Sequence, residues 1–326
     1  MSNKMTYFIF SDVHGEYDAL QEALREAGYD SSNPRHKLVS AGDAFDRGPH
    51  SRKVYNFLRQ NNAICVKGNH DEFFQEYLEK GMDGEFVLFN ILHNGLGDTI
   101  HSFTGLDDKA FDYRTVDRAR ANVDPTVLPW LQSLPLYFET KHFIVCHAGL
   151  DPNVPHWQDT DKHYMLWDIK DSHVPVHSTE KIVVIGHHHA FRVKQNAEEV
   201  GLKSMDINNL MLRTAGRNGD IQSTVIKSYG NTDEHSPYCY GNKIAIDGCT
   251  NLTHKVNVIV VEDEPLEDEP EKVKEDIPTP PSYGDTISAV YTSTDGMTYA
   301  NYYNQMATVG ITAAEAMENF TYTVRR

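Results

Sequence analysis

The sequence lacks any run of about 18 apolar residues, so no membrane span is written into it. It turns polar almost at once, reaching Asp12-Val13-His14 without the apolar stretch and small-residue cleavage site of a secretory signal. Cysteine is scarce. Cys65, Cys146, Cys239 and Cys249 show no C-x-x-C spacing, and the first two lie in apolar, strand-like runs. Buried free thiols in a reducing cytoplasm are the plain reading. Positive charge is also short, with 30 Lys and Arg against 47 Asp and Glu, a net of −17. That balance excludes general nucleic-acid binding, which needs a basic footprint. Residues 262–276 hold nine acids against Lys272 and Lys274, leaving a net of −10 for the rest of the chain.

Five short pieces stand out. They are Asp12-Val13-His14-Gly15, Gly42-Asp43-Ala44-Phe45-Asp46-Arg47-Gly48, Gly68-Asn69-His70-Asp71, His147-Ala148-Gly149 and Gly186-His187. The first three each follow a short apolar, β-prone run (residues 7–10, 37–41 and 64–67). An open α/β sheet gathers its functional groups at such strand ends. The side chains are carboxylate, amide and imidazole, a set that suits divalent metals able to activate water. Asp12 and His14, two residues apart, can face one ion. Asp43 has two oxygens with which to bridge two ions, Asn69 offers a neutral amide oxygen, and His147 and His187 complete a nitrogen-rich half. Taken alone, Asp12-Val13-His14 is explained about as well by a helix cap and a surface histidine. The joint occurrence of the five is what points to metal.

His70 neighbours Asn69 and would turn elsewhere, where a charged imidazole held by a carboxylate can protonate a leaving alkoxide. Asp46 is the natural carboxylate. Arg47 would present a planar fork to phosphate oxygens, the alternative being a loop salt bridge with Asp46.

These pieces resemble the signatures of the phosphoprotein phosphatase family of binuclear metallophosphoesterases, in particular its bacterial and bacteriophage serine/threonine phosphatases. The resemblance covers roughly residues 6–261. It includes Trp130-Leu131-Gln132-Ser133-Leu134-Pro135, His147-Ala148-Gly149-Leu150-Asp151-Pro152, Met165-Leu166-Trp167 and Ile246-Asp247-Gly248-Cys249. It implies an α/β fold, a β-sandwich of mixed sheets flanked by helices. It assigns Asp12, His14 and a bridging Asp43 to one ion, and Asn69, His147 and His187 to the other. Manganese is the first choice of metal, with Fe, Zn or Mg open. A metal-bridging hydroxide would attack in line, His70 with Asp46 would act as general acid, and Arg47 would clamp phosphate. The implied activity is phosphomonoester hydrolysis, on phosphoserine and phosphothreonine in proteins or on small phosphate esters. The alternatives are a dinucleoside polyphosphate hydrolase, a phosphodiesterase and a non-catalytic scaffold.

Two departures qualify the resemblance. Ile169 stands where the family carries a second phosphate-gripping arginine, with Lys170, Arg192 and Arg213 as possible substitutes. Gly186-His187 is followed by His188-His189 where the family commonly has Thr-Pro, and those two read as exposed or packing residues. His93, His101, His142, His156, His163 and His177 read as surface or packing histidines.

Along the chain, helical patterns cover residues 16–27, 51–60 and 71–79, the last with Asp71 as N-cap, alternating with strands as in a parallel sheet. Residues 81–135 read as mostly helical, with strands at 136–139, 143–146, 181–185, 243–247 and 255–261. Residues 191–240 read as a long irregular insertion. The expected organisation is a catalytic domain over 1–261, an acidic, proline-rich linker over 262–281 and a small β-β-α appendage over 282–326, where a protein partner would bind.

Overall fold

Side chains alternate along the first strand. Tyr7 and Ile9 join one apolar cluster and Phe8 and Phe10 another, and all four are buried. A strand buried on both faces belongs inside a layered fold. The computed structural model of this chain describes residues 4–106, 112–205, 207, 211–215 and 221–266, with the backbone alone for 211–215 and 221–225.

The chain begins with β1 (Met5–Phe10), α1 (Tyr17–Ala27), β2 (His36–Ser40), α2 (Ser51–Gln60), β3 (Ile64–Cys65) and α3 (Asn69–Lys80). Helices α4 (Val87–His93), α5 (Leu96–Thr104), α6 (Tyr113–Ala119) and α7 (Val127–Ser133) follow, as expected of that stretch. Next come β4 (Tyr137–Glu139), β5 (Phe143–Cys146), α8 (Lys162–Trp167), β6 (Ile182–Ile185) and α9 (Ala190–Glu199). The remainder is β7 (Met211–Ala215), β8 (Ile221–Val225), β9 (Lys227–Tyr229), β10 (Tyr238–Tyr240), β11 (Lys243–Ala245), α10 (Thr250–Thr253) and β12 (Val258–Asp263).

Two mixed five-stranded sheets result, ordered β3-β2-β1-β12-β9 and β10-β11-β6-β5-β4, beside a β7–β8 hairpin. In the first, β1–β2 and β2–β3 are parallel while β12 runs antiparallel to β1 and β9. In the second, β11–β6 and β5–β6 are parallel and the outer pairs antiparallel. Tyr7, Ile9, Val39, Val145, Val184, Ile244 and Ile259 fill the layer between the sheets. Phe8, Phe10 and Leu38 pack outward against Leu20, Leu24, Val54 and Leu58 of the first helices. Ile144, Val183 and Ile185 pack outward against Ala190, Val193 and Ala197 of α9. The architecture is the expected sandwich of mixed sheets between helical layers. The first sheet as a whole is not the parallel sheet that residues 6–80 alone suggest, because β12 and β9 return to it from late in the chain.

Three expectations need correction. Helix α3 starts at Asn69, with Gly68 as N-cap in extended conformation, so Asp71 lies inside the first turn. Residues 191–240 are not an irregular insertion, since they carry most of α9 and the four strands β7–β10. The last strand runs past Val261 to Asp263, whose buried carboxylate accepts from Thr140 Oγ1 at 2.6 Å and from the His142 N–H at 2.9 Å. The four cysteines are buried and unpaired. Among the described residues no helix is long and apolar enough to cross a membrane. Most of the expected linker and all of the expected appendage lie outside the described residues.

Candidate metal centre

The loops that leave β1, β2, β5 and β6, together with the start of α3 just beyond β3, bring Asp12, His14, Asp43, Asn69, His147 and His187 together. Their backbone is unusual. Asp12, His14, Asp43, Asp46, Arg47 and His187 all have positive φ, at 50°, 46°, 54°, 71°, 67° and 61°. Such a conformation disfavours non-glycine residues, and it persists only where the surroundings over-determine it. Gly68 permits the closest approach, since a Cβ there would collide with the Asp43 carboxylate and backbone nitrogen.

Asp43 is central. Its Oδ1 lies 3.3 Å from His147 Nε2 and its Oδ2 lies 3.8 Å from His14 Nε2. On one side, Asn69 Oδ1 is 2.8 Å from His147 Nε2 and 3.0 Å from His187 Nδ1. On the other, Asp12 Oδ1 is 3.9 Å from His14 Nε2. The donor atoms of His14, Asp43 and His70 lie within 4.8 Å of one another, as do those of Asp43, His147 and His187. Two three-residue groups therefore share one carboxylate. The Nδ1 atoms of His14 and His147 face the Phe45 and Ala41 carbonyls, each at 2.8 Å. A carbonyl only accepts, so each Nδ1 carries a proton and Nε2 is the atom offered to Asp43 and to any ion beside it.

The electrostatics fit two cations. Burial, helped by the Asp43 charge but opposed by His147, raises Asp12 to about 6, and burial followed by the Asp43 charge raises Asp71 to about 7. Burial and then the Asp12 charge push Asp247 well above the ordinary carboxylate range. Burial would raise Asp43 too, but the charges of His147, His70 and His14 outweigh it and hold its carboxyl well below that range. For His147 burial opposes protonation, yet Asp43 wins and lifts it to about 10. Burial, then His147, drops His187 to about 3, and burial, then His70 and Arg47, lowers His14 well below its ordinary value. Crowded buried carboxylates with imidazoles turned toward them are the donor set that two divalent ions would neutralise. The residues present fit the metals.

Beside this group, His70 Nδ1 is 2.7 Å from Asp46 Oδ2, and both side chains are buried. Arg47 donates from Nη1 toward His14 Nε2 and from Nη2 toward His70 Nε2, each at 3.0 Å. Its partners are thus the two imidazoles, and no salt bridge to Asp46 forms.

The structure brings all nine sequence-predicted site residues together and adds others. Thr99 of α5 donates to Asp46 Oδ1 at 2.7 Å and accepts the Asp46 N–H at 2.8 Å. Asp71 accepts the N–H groups of Gly68, Asp43 and Ala44 at 2.8, 3.2 and 3.2 Å, fixing the loop that carries Asp43. His188 Nδ1 is 2.8 Å from Ser172 Oγ, tying it to the loop that carries Ile169. His189 Nε2 is 3.8 Å from Asp247 Oδ2. Ile169 itself is 53% exposed, so an apolar side chain meets solvent where the resemblance expects an arginine. The side chain of Arg213 lies outside the described residues. Of the histidines read as bland, His142 is bound to Asp263 at 2.5 Å and His163 stacks on Trp167.

A family model described as calcineurin-like phosphoesterase matches residues 5–207. The chain is 31% identical over 150 residues to the symmetrical bis(5'-nucleosyl)-tetraphosphatase of Vibrio cholerae, a match covering 45% of this chain and 46% of that protein. It is 28% identical over 159 residues to the asymmetrical bis(5'-nucleosyl)-tetraphosphatase of Bacillus subtilis, covering 45% and 58%. It is 29% identical over 161 residues to serine/threonine-protein phosphatase 1 of Salmonella typhimurium, covering 49% and 67%. The chain spans about half the length of the curated relatives it matches, 46% for the first of these. A solved metallophosphoesterase structure from Sphaerobacter thermophilus matches with a TM-score of 0.39 at 16% identity, over 80% of this chain and 89% of that one.

Proposed function

Because this chain belongs to the calcineurin-like phosphoesterase family, we propose that it is a metal-dependent hydrolase of phosphoric esters working at the Asp43-centred site. One observation carries the reading: a single buried carboxylate shared by two imidazole-bearing groups, with a hydrogen-bonded His70–Asp46 pair alongside. Asp12, His14 and Asp43 would hold one divalent ion, and Asp43, Asn69, His147 and His187 the other. When bound, such ions supply Lewis-acid polarisation of phosphoryl oxygens and lower the pKa of water. Manganese is the first candidate, with Fe, Zn or Mg open, since a donor set of oxygen and imidazole without thiolate suits several divalent ions.

The chain's own residues supply the rest. Arg47 would turn its fork from His14 and His70 to the oxygens of the phosphate. His70 would give a proton from Nε2 to the leaving oxygen while Nδ1–H stays with Asp46, which offsets the charge and fixes the ring.

Phosphoserine and phosphothreonine in proteins are the first substrate reading, supported by the signature motifs and by the Salmonella relative. A second reading, dinucleoside polyphosphates, is favoured by Ile169, which removes the expected second arginine, and by the names of the Vibrio and Bacillus relatives. Four buried free thiols support a reducing, cytoplasmic setting. The manganese-loaded protein should be assayed with a phosphopeptide, diadenosine tetraphosphate, p-nitrophenyl phosphate and its bis-aryl diester. Turnover of a monoester or of the tetraphosphate supports the proposal. Full metal occupancy with no turnover of any ester would leave the scaffold alternative.

A further inference from the structure

The chain is strongly acidic, at −17, yet nitrogen-bearing side chains, those of His188, His189 and Arg192, collect on the segment that follows His187 beside the metal centre. That segment is pinned at both ends. The His187 N–H donates to Asp12 Oδ2 at 3.0 Å, and the Ala190 N–H, at the start of α9, donates to the Asp247 carbonyl at 2.8 Å. His188 and His189, between the pins, have little freedom. His189 lies with Nε2 3.8 Å from the Asp247 carboxylate, keeps about a third of its side chain exposed (34%), and stacks on Phe191 with ring centroids 5.6 Å apart and planes at 25°. The guanidinium of Arg192, an exposed residue, sits 5.0 Å from the centroid of the same ring. His235 meets that ring edge-on at 5.2 Å, with its Nδ1 3.3 Å from Asp233 Oδ1. His189 stands two residues after His187, whose N–H is held by Asp12, so it borders the metal centre.

We propose that His189 and Arg192, mounted on Phe191 and flanked by His235, form a second anion subsite that takes the phosphate next to the one being cleaved. The proposal rests on the second substrate reading, in which the substrate carries more than one phosphate. Phe191 is the mount rather than the contact, since His189 and Arg192 are both held against its ring. Arg47 is engaged with His14 and His70 at the centre, and Ile169 contributes no cation, so α9 is where this chain offers further donors. His189, fixed in advance between the two backbone pins, loses little freedom on binding, and Arg192 adds a planar fork suited to a charged, bidentate ligand.

The test is calorimetric, with manganese in excess, using inorganic phosphate and a methylene-bridged diphosphonate as probes. Wild-type protein is compared with Arg192→Gln and His189→Gln, and thermal melting confirms that each variant is folded. Arg192 is exposed on a helix, so its replacement leaves the core intact even if the His189 variant does not fold. The ratio of diphosphonate to phosphate affinity should fall about tenfold in Arg192→Gln. A fall of less than fivefold would overturn the subsite. The measurement needs no turnover, so failure of the hydrolase reading in the ester assay is a separate outcome.

Discussion

His70 and Asp46 are joined side chain to side chain, Nδ1 to Oδ2 at 2.7 Å, in a buried pair adjoining the Asp43 cluster. The carboxylate fixes which ring nitrogen holds its proton, so Nε2 is the atom free to exchange one. A donor nitrogen of His70 also lies within 4.8 Å of the donor atoms of Asp43 and His14, so the structure admits a second role for it as a metal ligand. The variant His70→Asn separates the two. As a general acid, its loss should leave two ions per chain and lower kcat by ~10²–10⁴. Elemental analysis showing one ion lost would make His70 a ligand instead, and an unchanged kcat would remove it from the chemistry.

Thr99 exchanges two hydrogen bonds with Asp46 and approaches Ser51 Oγ at 3.1 Å. Replacing it with Val keeps its shape but removes the partner of a buried carboxylate and of a buried N–H. Thr99→Val should therefore cost ~1–3 kcal/mol of stability. It should lower kcat roughly tenfold with metal content unchanged, in the range for a group that orients an active-site residue. Denaturant melts and steady-state kinetics on one preparation check both parts.

The contrast between Thr99 and His70 shows what a sequence can carry. His70, Asn69, Asp43, Asp46 and Arg47 are legible because each falls in a short glycine-marked piece after an apolar run, where residue type and local spacing already state the chemistry. Thr99 has no such signal, since its partner is 53 residues away and only the packing of α5 introduces them. Asp71 reads locally as a helix cap, and two of its three partners are Asp43 and Ala44, 28 and 27 residues back. The strands within 191–240 were hidden for another reason. They are three to five residues long, too short for period-two alternation to rise above the polar residues around them. The sandwich itself was legible only through its motifs, because β12 and β9 complete the first sheet from more than 160 residues downstream of β2 and β3.

Gly68 has no side chain, and the Asp43 carboxylate and backbone nitrogen occupy the space where a Cβ would stand. Gly68→Ala must push Asp43 away from one or both imidazoles. Metal affinity should weaken by ~10–100-fold, the scale seen when a ligand loses its orientation. Titration with manganese would show it, and wild-type affinity in this variant would mean that Asp43 tolerates displacement.

Lys243 is fully buried, its Nζ donating to the Asp171 and Ser172 carbonyls at 3.0 and 3.5 Å. Burial lowers its pKa from 10.5 to about 8, with Cys146, Asp168 and Asp171 opposing only in part. Below about pH 8 both folded and unfolded chains carry the proton, and the cost of the buried charge is felt in full. Between about 8 and 10.5 the folded chain has released a proton that the unfolded chain retains, so this residue makes stability rise with pH. Lys243→Met abolishes that contribution. The Tm of wild type minus that of the variant should therefore increase from pH 7.5 to pH 10, and a flat or falling difference would contradict the assignment.

Asp263 decides where the catalytic unit can be cut. Its carboxylate is buried and accepts from Thr140 Oγ1, the His142 N–H and His142 Nδ1, at 2.6, 2.9 and 2.5 Å. Pro265 adds a bridge to Thr140, and the Lys141 N–H donates to the Glu264 carbonyl at 3.1 Å. A chain ending at Val261 would leave His142 and Thr140 without these partners and shorten β12, which lies between β1 and β9. A chain ending at Leu266 keeps them all. If the rest of the chain is the expected linker, to 281, and appendage, 282–326, the longer truncation product should hydrolyse p-nitrophenyl phosphate with kcat/KM within about twofold of the full chain. The shorter one should lose ~2–4 kcal/mol of stability from the stranded polar groups. Equal stability of the two would show that the Asp263 network is dispensable. Loss of folding in both would place residues beyond 266 within the catalytic unit.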